Sequence, residues 1–211
     1  MSSKRAQTAR PTPRETARDA FRISLRQAAE RVFVRSGFQA AKMTDIAAAA
    51  GVAVGTLYNY FDSKEEIFAE IFVAHSRELH ARLQPALSAE SPVARLASIV
   101  RTCLEYMDRH GALFAMFVER GGMAEYDLQR LGGEVCEAEY ARFLRVMGEA
   151  TQAAIAAGEL RSDVSAATMV ATLSGAMNGA TYAWLKRRRR GRLSAVADDL
   201  LKLFLSGARS Q

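Results

Sequence analysis

The chain has 211 residues, 49% of them apolar and 25% charged, enough for a buried core and too balanced for a disordered tail. No apolar run approaches the ~20 residues of a membrane-spanning helix, and the first residues, MSSKRAQTARPTPR, lack the apolar stretch of a secretion signal, so the expectation is a soluble cytoplasmic protein without a membrane partner. The net charge of +6 is unevenly placed: residues 1–64 carry 11 Lys/Arg against 5 Asp/Glu, and residues 65–211 carry 18 of each, so a polyanion would meet the excess at one end.

Residues 1–11 are basic and poor in apolar side chains, and are read as a disordered arm that either stays solvated or lies along DNA. Thr12-Pro13-Arg14-Glu15 offers a cap, a first-turn proline and a glutamate three residues on, which starts a helix there or at Thr16. Phe21, Leu25, Ala28 and Val32 form its apolar stripe, and Gly37 ends it. A second helix covers Thr44 to Ala50, with Ile46 and Ala50 facing inward, and Gly51 breaks it by taking the left-handed conformation at no steric cost. A third runs from Val54 to Phe61, burying Leu57 and Phe61 and turning Val54, Gly55, Tyr58 and Asn59 elsewhere. Ser63-Lys64-Glu65-Glu66 reads as a capping box for a fourth helix. Helix, short glycine-containing turn, helix is the helix-turn-helix arrangement, whose second helix can enter a DNA major groove.

The string AGVAVGTLYNYFDSKEEIF, residues 50–68, resembles the DNA-binding signature of the tetracycline-repressor (TetR) family of bacterial regulators. The likeness covers roughly residues 16–72 and is one of architecture alone beyond residue 80. Two positions depart from the family pattern. Lys42 and Ala53 stand where the family usually places Thr or Ser and Ser, so the starts of the second and third helices are expected to lack side-chain caps. The resemblance implies that Val54, Gly55 and Tyr58 approach base edges, and that Thr44, Thr56, Asn59, Tyr60 and Lys64 face phosphates. Elementary chemistry agrees, since hydroxyls, an amide and an ammonium are phosphate donors and a glycine admits close approach. Val54 offers only an apolar surface, suited to a thymine methyl.

The remainder reads as more helix. The fourth helix runs from Lys64 towards Leu83, with Ile67, Phe68, Ile71 and Leu79 on its apolar side, and Pro85 closes it. Ser91-Pro92 begins the next, in which Leu96, Ile99, Cys103 and Met107 share a stripe. Breaks at Gly111, Gly121-Gly122 and Gly132-Gly133 precede a long helix with Tyr140, Phe143, Leu144, Met147 and Ile155, stopped by Gly158. Ser165 caps a helix to about Trp184, and Ser194 caps a last one to about Leu205, with Asp198 and Asp199 near its first turn. Nothing alternates with a period of two over useful length. The predicted fold is all-α: a basic arm (1–11), a three-helix DNA-binding module (12–72) and a helical effector-binding and dimerisation domain (73–211).

Enzyme chemistry finds no foothold. His75 and His80 are five apart, about 140° around a helix, and do not converge on a metal. No Glu-x-x-His, Gly-x-Ser-x-Gly or phosphate-cradling glycine loop occurs, so no catalytic residue, metal or cofactor is predicted. Cys103 and Cys136 read as buried free thiols. Six of the eight methionines lie between Met107 and Met177 among several aromatics, as an ordinary core would have them or as a pocket for an apolar or aromatic ligand would. The family likeness implies the pocket, for which Met107, Phe114, Phe117, Tyr140, Phe143, Met147 and Met177 are candidates. It also implies that the last two helices form a four-helix homodimer interface, with Ala176, Gly179, Ala180, Trp184, Leu201 and Phe204 as candidates. Completing the protomer's own core is the other use for them. Lys186-Arg187-Arg188-Arg189-Arg190 is read as a solvated connection, with an anionic partner as the alternative. The implied function is a homodimeric regulator, a repressor, that binds a palindromic double-stranded operator and is released by a small apolar or aromatic effector. The rival is a small-molecule-binding protein whose basic module docks on another protein.

Overall fold

In the computed structural model, which describes residues 12–111, 125–187 and 190–208, the backbone follows the apolar periodicity into helix after helix. Two compact units result, Met1–Ile67 and Phe68–Gln211.

The first unit begins with α1 (Pro13–Ala40). Thr12 and Glu15 cap it reciprocally: the Glu15 N–H donates to Thr12 Oγ1 at 3.2 Å and the Thr12 N–H to Glu15 Oε2 at 2.7 Å. Leu25, Ala28 and Val32 are buried as their spacing predicts, joined by Ala29, Phe33 and Phe38, whereas Phe21 is only half-buried. Gly37 leaves helical geometry at φ 75°, and a short helical turn follows it. The second helix, α2 (Met43–Ala50), is eight residues long and ends at Gly51, left-handed at φ 71°. Its inward residues are Ile46 and Ala47; Ala50, the expected partner of Ile46, is half-exposed. The Lys42 side chain gives no cap, as expected, but the Asp45 carboxylate accepts the Lys42 N–H at 3.2 Å. α3 (Val54–Tyr58) is shorter than predicted, because beyond Tyr58 the chain tightens into a turn closed by the Tyr60 N–H on the Leu57 carbonyl at 3.0 Å. Leu57 and Phe61 are nevertheless buried together.

α4 (Lys64–Leu83) starts in the first unit and continues into the second. Its expected capping box is shifted. Ser63 Oγ accepts the Glu66 N–H at 3.1 Å, but the Glu66 carboxylate reaches the N–H of Asp62, at 2.8 Å, rather than that of Ser63. Arg22 holds the other Glu66 oxygen at 2.8 Å, which draws the carboxylate away from the reciprocal position.

In the second unit α5 (Pro92–Arg109), capped by Ser91, buries Leu96, Ile99, Cys103 and Met107. It packs against α6 (Glu125–Ala156), which is interrupted at Gly133, and against α8 (Ala197–Ala208); α7 (Ala166–Lys186), capped by Ser165, packs on α6 and α8. Two ties within this unit join residues far apart in sequence. Glu159 accepts the Val93 N–H at 2.8 Å at the start of α5. Asp108 accepts the N–H groups of Leu193 and Ser194, at 2.5 and 2.9 Å, at the turn Leu193–Val196 before α8. Ser194 is therefore not the cap it was predicted to be, since a carboxylate from α5 takes the donors. Among the described residues there is no strand, and no helix is long and apolar enough to cross a membrane.

Candidate nucleic-acid interface and cavity

The turn at Gly51 fixes α3 against α2, and burial of Leu57 decides which way the rest of α3 looks. Tyr58 is 50% and Val54 39% exposed, and Gly55 and Asn59 stand open beside them. Thr44 is exposed near the start of α2, and Thr56 is half-buried. A Cβ built on Gly55 would meet nothing within 4 Å, so nothing in the protein's own packing requires a glycine there.

Two of the expected phosphate ligands have other work. The Lys64 ammonium donates to the carbonyls of Phe38, Gln39 and Ala41, at 3.0, 3.1 and 3.2 Å, and lies 4.8 Å from the centre of the Phe38 ring. Its three N–H bonds are spent on the chain that follows Gly37, where α1 has left its carbonyls without helical partners. In this geometry Lys64 is a positioning residue, which corrects its expected place on a phosphate. Tyr60 packs edge-on against Phe21, ring centres 5.1 Å apart, with Arg18 over its face at 5.9 Å. Sequence reasoning missed Arg22, whose guanidinium stacks 4.3 Å from Phe61 and bonds both the Tyr60 carbonyl, at 2.5 Å, and Glu66. One basic residue thus locks the end of α3 to α1 and α4 within this unit.

In the second unit a narrow crevice lies between α4, α5 and α6. Met107, Tyr140 and Phe143 are on its wall. Met147 and Met177 are not: they are 0% and 2% exposed and belong to the packed core. Phe114 and Phe117 lie outside the described residues, as does the proposed arm 1–11. The wall also contains Phe72, His75 and Leu79 from α4, and Cys103 and Tyr106 from α5, which sequence reasoning had counted as core or passed over. The available signal was a histidine and a serine set into the apolar side of α4. Ser76 donates to Glu139 at 2.9 Å on the same wall. Burial, together with Glu139 for the second, pushes the thiols of Cys103 and Cys136 up, Cys136 to about 12, so neither is a nucleophile at neutral pH.

His75, Glu78 and His110 offer donor atoms that all lie within 4.8 Å of one another. Spacing along one helix could not show this, because His110 arrives from the end of α5.

The last helices divide the expected interface residues. Ala176 and Gly179 are exposed, and Ala180 and Phe204 half-buried; Tyr182 and Leu203 add 49% and 77% exposed apolar surface. Trp184 and Leu201, at 8% and 3%, are covered by their own unit, the indole N–H donating to the Gly191 carbonyl at 3.0 Å, and are corrected to core residues.

Residues 25–71 match the family described as bacterial regulatory proteins, tetR family. The repressor DhaR of Mycobacterium sp. (strain GP1) is 32% identical over 105 residues, 48% of this chain and 52% of that protein. The chain spans about half the length of the first curated relatives it matches. Among solved structures, the fatty acid degradation regulator FadR from Bacillus halodurans superposes with a TM-score of 0.79 at 19% identity, covering 96% of this chain and 100% of that one. FadR from Bacillus subtilis in complex with stearoyl-CoA gives 0.75 at 20% identity, covering 88% and 98%. At those identities the structures establish the fold alone.

Proposed function

Because this chain belongs to the tetR family of bacterial regulatory proteins, we propose that it is a cytoplasmic, non-enzymatic repressor that binds a palindromic operator as a homodimer. The observation that carries this is the division of α3. Leu57 is fully buried, while Val54, Gly55 and Tyr58 stand in solvent in the segment, residues 1–64, that holds all the excess positive charge. Val54, Gly55 and Tyr58 read bases, and Thr44, Thr56 and Asn59 hold phosphates. Two such units would address half-sites about one helical turn, ~34–36 Å, apart.

The effector is an apolar molecule seated in the crevice of the second unit. The apolar side chains Phe72, Leu79, Met107 and Phe143 on its wall support this. So does the stearoyl-CoA complex of the Bacillus subtilis regulator, a fold relative that holds a long apolar chain. A ligand that lowers operator affinity must itself be weakened by operator to the same factor.

The test is binding of the purified protein to DNA upstream of its own coding sequence, by anisotropy across a salt series. Specific retention with a steep salt slope is expected, and retention indifferent to sequence sinks the reading. Acyl and aromatic compounds that raise the melting temperature should also release that DNA. The exposed small residues of α7 provide the dimer test. A side chain at Gly179 meets nothing within 4 Å inside the protomer, so Gly179→Arg should fold, sediment as a monomer and lose operator affinity. A parent protein that is monomeric both alone and on DNA removes the dimer from the proposal.

A further inference from the structure

We propose that His75, Glu78 and His110 form a site for one divalent transition-metal ion of the zinc or cobalt type. The site goes beyond the operator reading and does not depend on it. His75 and Glu78 are three residues apart on α4 and therefore share a face. His110 is the C-cap residue of α5, at φ −109° and ψ 24°, and its ring centre lies 4.9 Å from that of His75. Two imidazoles and a carboxylate are the donor set of a three-ligand zinc site with one open position. Tetrahedral ligands at about 2.1 Å from an ion stand roughly 3.4 Å apart. The donor atoms here lie within 4.8 Å, so side-chain rotations of about 1 Å close the site.

The groups behind the donors are arranged as a metal site requires. Tyr106, 1% exposed, donates its hydroxyl to Glu78 Oε2 at 3.1 Å, and its oxygen lies 2.6 Å from His75 Nδ1. With the hydroxyl proton committed to Glu78, the His75 contact has Nδ1–H as donor and Nε2 as the ring's acceptor nitrogen. That is the tautomer of a ligating histidine whose second nitrogen donates outward and fixes the ring. The Tyr106 ring also lies 4.4 Å from that of His110, so one buried phenol touches all three donors' residues. Arg82 competes from outside, donating to Glu78 Oε1 at 3.2 and 2.8 Å. A hydrogen-bonded relay from His75 to Arg82 would need only one histidine; His110 supplies the second nitrogen donor. His75 and Tyr106 also line the crevice. A bound ion would therefore place two positive charges at a wall that is otherwise apolar and acidic, and favour ligands with an anionic head.

The full-length protein, stripped with a chelator and dialysed, is titrated with cobalt(II) chloride while visible absorption is recorded. One cobalt per chain with the bands of a four- or five-coordinate ion is expected, displaced by zinc sulfate, with a rise in melting temperature on zinc addition. The double variant His75→Ala/His110→Ala should lose the bands, and His80→Gln should keep them. Glu78→Gln, at an exposed position that leaves the fold intact, should weaken cobalt by about tenfold or more. A parent that binds no cobalt at one hundred micromolar overturns the proposal, as does a folded double variant that binds like the parent. If the double variant does not fold, Glu78→Gln decides: unchanged affinity overturns the site, and loss sustains it.

Discussion

The stretch from Gly51 to Phe61 and the crevice walled by α4, α5 and α6 are built on opposite principles. In the first, eleven consecutive residues settle the outcome. A left-handed glycine stops one helix, two buried side chains orient the next, and what they do not bury is presented to solvent. In the second, the wall is gathered from Phe72 to Phe143, and no short segment contains enough of it to declare a cavity. The difference teaches where each feature is decided: the exposed face of α3 is a local consequence of a turn, and the crevice a consequence of packing. Variants that separate local from distant causes can break or sharpen that contrast.

The largest effect is expected at Lys64, whose ammonium is held by carbonyls 23 to 26 residues away. Hydrogen bonds from a charged donor contribute roughly 1.5–3 kcal/mol each, less when half-exposed. Losing three in Lys64→Ala should cost the first unit about 2–3 kcal/mol in urea denaturation. Operator affinity should fall with it, while the slope of log K against log salt stays at the parent's value. A slope reduced by about one with stability unchanged would return Lys64 to a phosphate. Tyr58→Ala comes next. Half-exposed, it should lose about 1–3 kcal/mol on the cognate operator, little on random DNA, and far less in stability. Equal losses on both DNAs would move Tyr58 from the bases to the backbone.

What was legible in the sequence follows the same division. The all-helical fold, the caps at Thr12, Ser91 and Ser165, and the breaks at Gly37, Gly51 and Gly133 are local chemistry and stand as read. The helix-turn-helix was legible because burial of Leu57 and Phe61 settles both of its faces. Lys64 was misread because its carbonyl partners lie 23 to 26 residues away, where no periodicity points. Met147 and Met177 were misread for a related reason. An apolar residue at helical spacing looks the same whether it lines a hollow or fills one, and only packing decides. Trp184, given to a partner by its helix, was claimed instead by the Gly191 carbonyl seven residues on. The ties from Asp108 and Glu159 bridge 85 and 66 residues and left no local sign.

Gly55 isolates the local principle at a smaller scale. A methyl group there meets nothing in the protein and improves helix propensity by up to about 1 kcal/mol. Gly55→Ala should therefore raise the melting temperature slightly and weaken operator binding, the two readouts moving in opposite directions. If both rise together, the glycine has no part in close approach to DNA.

The smallest expected effect probes the distant principle at its weakest. Arg161 and Asp163 form a two-point ion pair at 2.6 Å on each arm, and Arg161 also reaches the end of α8, its backbone N–H on the Ala208 carbonyl at 2.8 Å. The hydrogen bonds from Arg161 hold the Asp163 carboxyl below the usual aspartate range. Because the folded-state value is depressed, the pair's contribution is complete above the unfolded aspartate value of about 3.9. It is lost as the pH falls from there through the lower folded value. Both side chains are open to water, so the contribution is a small one. Asp163→Asn should therefore lower the urea midpoint slightly at pH 7 and leave it equal to the parent's once the pH is below the folded value. The decisive comparison is the difference between the two proteins at pH 7 and its decline as the pH is taken progressively below the unfolded aspartate value. A difference that persists unchanged in acid would mean that the side chain acts through packing or backbone capping, and that its charge pair with Arg161 does not hold the end of α8.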